Sequence, residues 1–317
     1  MSKIITVTAN TAIDWVIETD GLGDQDNLIA KESCEFACGK GINVAKAVES
    51  LGYPVICLGF AGHQSSGLFN ELNSDLLYVD LIAVEGKTRT NITLSDRTAG
   101  RETHIRTSGY RVTPEDCRQL AEKLANSTKA GDIVILTGSL PAGAPNDFYR
   151  TVIDICHEKS AITFLDSSGQ SLAEGIRSRP NLIKPNLQEL EELIGHPLTN
   201  DPDVQEAARS LLGQGILRLC VSQGERGAIA VDEVRAFAAF AKHDPAETMT
   251  QVGCGDALVA GLAVGMLRRL PWEDCVRWGI ACGTANLYSP EPGRFTKDRA
   301  DEISRQIEII PLQSGSG

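Results

Sequence analysis

The sequence predicts an α/β protein: a doubly wound, mainly parallel sheet with helices on both faces, plus a small β-sheet lid. Three observations carry that reading. Short apolar runs rich in Val and Ile recur along the chain, and stretches with apolar residues at three- and four-residue spacing separate them. Two segments, about 12–36 and 88–108, alternate with period 2 instead.

The runs PVICLGF at 54–60, DIVILTG at 132–138, ITFLDSSG at 162–169, NLIKPN at 181–186 and LRLCVSQG at 217–224 are apolar on both faces, as buried parallel strands must be. Between them NVAKAVESLG, PEDCRQLAEKLAN, PNDFYRTVIDICHE, LQELEELIG and DVQEAARSLLGQG read as amphipathic crossover helices, several ending at glycine. In such sheets ligands gather at the carboxyl ends of the strands.

The two period-2 segments join poorly to a parallel sheet. TRTNITLSDRTAGRETHIRTSG reads as a hairpin around DRTAG, with Arg89, Asn91 and Thr93 on one face and Thr90, Ile92 and Leu94 on the other. His104 and Arg106 share a face of the return strand. A sheet this small is marginal alone, so it is expected to pack over the main domain as a lid and to pair with a second copy in a homodimer. Residues 1–312 are expected to form one domain, with 313–317, QSGSG, as a flexible tail.

The bulk composition excludes several classes. Of 317 residues 42% are hydrophobic and 23% charged, an ordinary globular balance. A net charge of -12 gives a nucleic-acid partner no electrostatic support, and an anionic ligand would need a local basic pocket. The nine cysteines show no CxxC pairs, so free thiols in a reducing, cytoplasmic compartment are expected. The apolar run in MSKIITVTAN is too short for a signal-peptide core, and ALVAGLAVGML falls below the roughly 18 residues of a membrane span.

Two glycine turns carry the chemistry. In CGKGINVAKAVESLG, glycines around Lys40 open a helix whose amino end can seat an anion or polar ligand, or the turn simply needs glycine. A dinucleotide site would place an acidic residue about 20 residues on, and PVICLGFAG has none. In GCGDALVAG, the N–H groups of Gly253, Cys254 and Gly255 can converge on a transferred phosphoryl group. Asp256 then either complements the helix dipole or acts as a general base. Cys254 is either a nucleophile or small-residue filler; no sequence signature ties a histidine to it.

Taken together, ACGKGINVAKAVESLG and VGCGDALVAG resemble the paired signatures of the ribokinase-like, PfkB-type carbohydrate kinases. TANTAID, KTRTNITL, GSLPAG, LDSSGQSL, LIKPNLQEL and VSQGERGA extend the resemblance over nearly the whole chain, within the phosphosugar branch and most similar to the 1-phosphofructokinases. The resemblance implies an ATP- and Mg²⁺-dependent kinase of a ketohexose monophosphate, most similar to enzymes of D-fructose 1-phosphate. Tagatose 6-phosphate and fructose 6-phosphate are the alternative substrates. A sugar-phosphate sensor without turnover is the alternative from another class.

It also implies roles. Asp256 matches the family's base, and Gly253, Cys254 and Gly255 its anion hole. Asp14, Gly39 and Asn43 match positions that hold sugar hydroxyls; Lys40, Arg89, Asn91 and Ser139 lie near the sugar's phosphate. Lys184 and Asn186 match residues near the ATP phosphates, and Glu189 the acid that organises Mg²⁺ through water. Asn186 and Glu189 also fit a helix capping box. Ser222, Gly224 and Gly227 match the nucleotide loop, and Gly283 with Asn286 the closing of the adenine pocket. The chain departs from the family's wording at Thr11, His63, Thr250 and Cys254, and in SPEPGRF at 289–295.

Overall fold

A computed structural model describes residues 2–21, 27–96, 98, 101–242 and 248–312. Most of the turn expected at 96–100 and the tail at 313–317 lie outside these residues. In chain order the elements are β1 (Ile4–Thr8), β2 (Ala12–Thr19), β3 (Glu32–Cys38), α1 (Lys40–Ser50), β4 (Val55–Gly62), α2 (Ser66–Asn70), β5 (Leu77–Val84), β6 (Arg89–Asp96) and β7 (Arg101–Arg106). Next come α3 (Pro114–Ser127), β8 (Ile133–Thr137), α4 (Phe148–Glu158), β9 (Ile162–Asp166), α5 (Gly169–Gly175), β10 (Leu182–Ile183), α6 (Leu187–Ile194), α7 (Asp201–Leu212) and β11 (Arg218–Ser222). The last are β12 (Ala228–Asp232), β13 (Ala236–Phe240), α8 (Cys254–Leu267), α9 (Trp272–Leu287), α10 (Lys297–Ser304) and β14 (Glu308–Pro311).

Ten strands form the large sheet in the order β14-β13-β12-β11-β10-β9-β8-β1-β4-β5. From β11 to β5 every pairing is parallel; β12, β13 and β14 extend it antiparallel. The five strands expected from sequence are all in the parallel part. β1 and β5 complete it, and the antiparallel wing is an addition that the sequence pattern did not reveal. AIAVD and AFAAF are rich in alanine, which is depleted in strands, so their assignment comes from pairing and burial.

Two apolar layers cover the sheet. Ile42, Val48, Leu262, Val276 and Ile303 pack one face beneath α1, α8, α9 and α10. Leu120, Tyr149, Leu172, Leu190 and Leu211 pack the other beneath α3 to α7. This places helices on both faces of a mainly parallel sheet, as expected.

The lid is a separate sheet in the order β3-β2-β6-β7. Its register pairs Asp14 with Asn91 and Asn91 with Arg106 on one face, and Trp15 with Ile92 and Ile92 with Ile105 on the other. β3 runs on to Cys38 and delivers the chain through Gly39 into α1. α1 is more buried than an amphipathic surface helix: Gly41 to Val48 are all inside, Lys46 included. The Lys46 ammonium is 1% exposed and donates to Ala37 O at 2.8 Å and to Glu291 Oε1 at 2.7 Å. A buried lysine is tolerated because both partners compensate its lost hydration.

Candidate active site

The site lies where the parallel strands end and the two glycine turns begin. β1 stops at Thr8, β9 at Asp166, β10 just before Lys184 and β11 at Ser222. Gly39 caps α1 at φ 129°, and a Cβ there would stand 2.9 Å from Thr8 Cγ2 and 3.2 Å from Thr11 Cα, so only glycine lets the turn close on β1. Gly253 caps α8 in the left-handed region at φ 83°.

Two cavities meet at this point. One, of about 510 Å³, is lined by Ser222, Gly224, Gly227, Cys254, Gly255 and Gly283, with Leu258, Ile280, Thr284 and Leu287 as its apolar side. The other, of about 360 Å³, is lined by the lid's polar face and by both turns. Asp14, Gly39, Lys40, Asn43, Arg89 and Asn91 wall one side of it; Lys184, Asn186, Glu189, Gly253 and Asp256 wall the other. Ser222 and Gly255 belong to both cavities and form their junction.

Asp256, in the first turn of α8, is 5% exposed. Asn43 Nδ2 donates to its Oδ2 at 2.8 Å. Burial pushes the Asp256 carboxyl up to about 6, against the pull of the Lys40 charge, and the Asp166 charge adds to the rise. Asn43 Oδ1 in turn accepts the Cys38 thiol at 3.4 Å. Across the lid, Asn91 Nδ2 donates to Asp14 Oδ1 at 2.7 Å.

Asp166 was not singled out from the sequence, and it organises the cations. Its carboxylate lies 3.4 Å from Lys40 Nζ and 3.2 Å from Lys184 Nζ, and it accepts the Thr137 hydroxyl at 2.9 Å. Burial alone would raise it, but Lys184 and then Lys40 more than offset that and hold it below the usual carboxylate range. Asp166 in turn raises Lys40, whose charge is secure at any physiological pH. The available signal was position: Asp166 closes ITFLD, at the carboxyl end of an expected strand.

Cys254 is half-buried, and burial pushes its thiol up to about 11. Its sulfur meets the Asn286 amide at 3.4 Å and the Thr250 carbonyl at 4.0 Å. Nothing in that environment makes a thiolate at neutral pH, and small-residue filler is the reading the geometry favours.

A model of the "pfkB family carbohydrate kinase" matches residues 2–298. The chain belongs to this family. It is 30% identical over 98% of its length to a tagatose-6-phosphate kinase of Staphylococcus epidermidis, covering 100% of that protein. It is 29% identical over 98% to a 1-phosphofructokinase of Bacillus subtilis, again covering 100% of the relative. The solved phosphofructokinase-2 of Escherichia coli superposes with a TM-score of 0.88 at 26% identity, covering 96% of this chain and 99% of that one. The protein is a phosphofructokinase-like sugar kinase, a phosphotransferase.

Two residues of this pfkB kinase, Ser139 and Asn286, sit differently from expectation. Ser139 is exposed at the rim, outside both cavity walls; it accepts from Asn10 Nδ2 at 3.1 Å, while Asn10 O accepts from Arg89 Nη2 at 3.2 Å. Asn286 is fully buried and lines neither cavity, because its amide is bonded behind the α8 turn. Glu189 has one carboxylate oxygen committed, since its Oε2 accepts the Asn186 N–H at 2.8 Å in the expected capping box. β7 is exposed throughout, and Thr93 Oγ1 lies 3.2 Å from His104 Nδ1, which makes His104 lid surface.

The sugar-side cavity is not basic. Lys40, Arg89 and Lys184 face Asp14, Asp166, Glu189 and Asp256, three cations against four carboxyl groups. An anionic phosphate there needs further positive charge. Asp166 Oδ1, buried and 3.2 Å from Lys184 Nζ, and the Glu189 carboxylate are hard oxygen donors of the kind a hydrated Mg²⁺ takes. Among the described residues no group of three or more His, Cys, Asp and Glu could cage a metal directly.

Proposed function

We propose that this kinase transfers the γ-phosphoryl group of ATP to the free hydroxyl of a ketohexose monophosphate, D-fructose 1-phosphate, giving fructose 1,6-bisphosphate. The observation that carries the reading is Asp256: a buried carboxyl, held by Asn43 and raised toward neutrality, in the polar cavity one residue past Gly255, where that cavity meets the apolar one. A base poised near the working pH is what proton abstraction from an alcohol requires.

In the reaction the sugar oxygen forms a bond to the γ-phosphorus, the bond from that phosphorus to the bridging oxygen of ADP breaks, and the hydroxyl proton passes to Asp256. Asp14, tied to Asn91, and the Gly39 turn orient the sugar. Arg89 holds its phosphate, with Asn10 and Ser139 at the rim. The N–H groups of Gly253, Cys254 and Gly255 at the start of α8 face the developing charge. Lys40, drawn toward Asp166 and Asp256, adds a fixed positive charge between the sugar and the phosphoryl group. Lys184 and Asn186 lie toward the ATP phosphates, and Ser222, Gly224, Gly227 and Gly283 line the nucleotide cavity. Glu189, with Asp166, would hold Mg²⁺ through water, and when bound it would supply charge neutralisation of the phosphates.

Residues 1–312 act as one kinase domain. The lid's apolar face, Ile13, Trp15, Ile17, Ile92, Leu94 and Ile105, pairs two copies; Ile105 is 46% exposed. All nine cysteines are free, which suits a cytoplasmic enzyme, and no described helix is long and apolar enough to cross a membrane.

The test is ATP consumption with D-fructose 1-phosphate, D-tagatose 6-phosphate and D-fructose 6-phosphate, and with unphosphorylated fructose as control. The highest kcat/KM with D-fructose 1-phosphate supports the proposal. A higher value with another phosphate reassigns the substrate. Binding without turnover for all three makes the protein a sugar-phosphate sensor.

A further inference from the structure

Asn286 belongs to the last turn of α9 and has 0% exposure. Its amide is fully engaged: Nδ2 donates to Val252 O at 2.8 Å and to Cys254 Sγ at 3.4 Å, and Oδ1 accepts from Gly293 N at 2.8 Å. Val252 and Cys254 flank the glycine that caps α8. Gly293 belongs to SPEPGRF, the stretch that departs from the family's wording.

That stretch is wedged between the two helices of the site. A Cβ at Gly253 would stand 2.8 Å from Pro292 Cβ, and one at Gly293 only 2.4 Å from Asn43 O. Both glycines are in the left-handed region, at φ 83° and 79°. The stretch is also anchored to α1: Lys46 donates to Glu291 Oε1, and Arg294 pairs with Glu49. Asn43, which bonds Asp256, is therefore pressed from behind by the backbone that Asn286 holds.

We propose that Asn286 is a positioning residue for phosphoryl transfer, its amide tying Val252, Cys254 and Gly293 into a clip that keeps the glycine turn of α8 in register with Asn43. This rests on the kinase reading above. Asn286 lines neither cavity; Gly283, Thr284 and Leu287 form the cavity wall at that end of α9. Removing the amide frees the Val252 carbonyl and the Gly293 N–H together, and the turn shifts while the nucleotide cavity keeps its lining. A misplacement of about 1 Å at reacting atoms costs on the order of 10²-fold in rate.

The experiment compares wild type, Asn286→Ala and Gly293→Ala, the second disturbing the same clip from its other side. The expected result is a kcat lower by on the order of 10²-fold, with KM for ATP within about threefold of wild type. Iodoacetamide labelling of the substrate-free proteins, read peptide by peptide, supplies a measurement independent of activity. Labelling of Cys254 should rise about fivefold or more as the turn loosens, while the buried Cys156 and Cys220 stay protected.

A raised KM for ATP at unchanged kcat would make Asn286 an adenine contact and overturn the proposal. So would Cys156 and Cys220 labelling together with Cys254, or failure of both variants to fold, since each marks a general folding role. Unchanged kinetics and labelling would overturn it as well. A wild type inactive on every sugar phosphate sinks the kinase reading itself, whereas the labelling comparison still decides whether Asn286 holds the turn.

Discussion

Asn43 donates its side-chain amide to Asp256 Oδ2 at 2.8 Å, linking residues 213 positions apart at the amino ends of two helices. One helix follows the lid and the other follows the second glycine turn, so a single hydrogen bond aligns the sugar side of the cleft with the phosphoryl side. Asp256→Asn keeps an acceptor for Asn43 and removes the base. Its kcat should fall by roughly 10²- to 10⁴-fold with the fold intact. In wild type, kcat/KM should rise with pH through about 6, where Asp256 ionises. Near-normal turnover in the variant, or a flat profile from pH 5 to 7, would remove Asp256 from the role of base.

The same substitution should stabilise the protein at neutral pH. The folded carboxyl titrates at about 6 against 3.8 ordinarily, so the folded state binds this proton more tightly than the unfolded chain does. That contribution is fully present below about pH 4 and is lost as pH rises through about 6. Above pH 7 the ionised, buried Asp256 costs up to about 3 kcal/mol, which Asp256→Asn recovers. Thermal unfolding should give the variant a higher Tm at pH 8 and a difference that closes toward pH 4. A lower Tm at pH 8 contradicts the assignment.

How much of this was legible beforehand follows from where the information sits. Five of the seven parallel strands, and the crossover helices between them, were readable because both strand faces are apolar and each helix repeats its pattern locally. β12 and β13 were not, since Ala-rich segments become strands only through pairing with β11. The glycine turns with Asp256 were legible as motifs. Asp166 was missed because a lone aspartate at a strand end looks like punctuation until Lys40 and Lys184 converge on it. Only the family resemblance places Asn286 where the adenine pocket closes, and only the packed structure shows its amide turned toward Gly293.

Arg89 stands on the lid's polar face, where Nε donates to Thr11 O at 3.3 Å and Nη2 to Asn10 O at 3.2 Å. A charge-assisted bond to a phosphate is worth about 1.5–3 kcal/mol. Arg89→Ala should therefore raise KM for the sugar phosphate by about tenfold to a hundredfold and leave KM for ATP within about twofold. Equal rises in both would assign Arg89 to holding the turn after β1 alone.

Ile105 lies on the lid face opposite Arg89, paired across the strands with Ile92 beside Trp15. If two lids share this face, Ile105→Glu places a charge in an apolar seam and should convert a dimer to monomers at micromolar concentration in sedimentation velocity. A wild type already monomeric at that concentration refutes lid pairing.

Cys254 completes the comparison with Asp256, two residues on. Its thiol titrates near 11 because burial disfavours the thiolate, and its sulfur partners are an amide and a carbonyl. Only its N–H is suited to a phosphoryl group, and Cys254→Ala retains that donor together with the helix start. Turnover should change by less than about threefold. Iodoacetamide inactivation of wild type would prove little, since an adduct fills space in the nucleotide cavity that Cys254 lines, and so the substitution is the informative experiment. Assayed beside Asp256→Asn after both are shown to fold, a loss of about 10³-fold or more at Cys254 would make the thiol a covalent participant and would transfer the chemistry from the carboxylate to the sulfur.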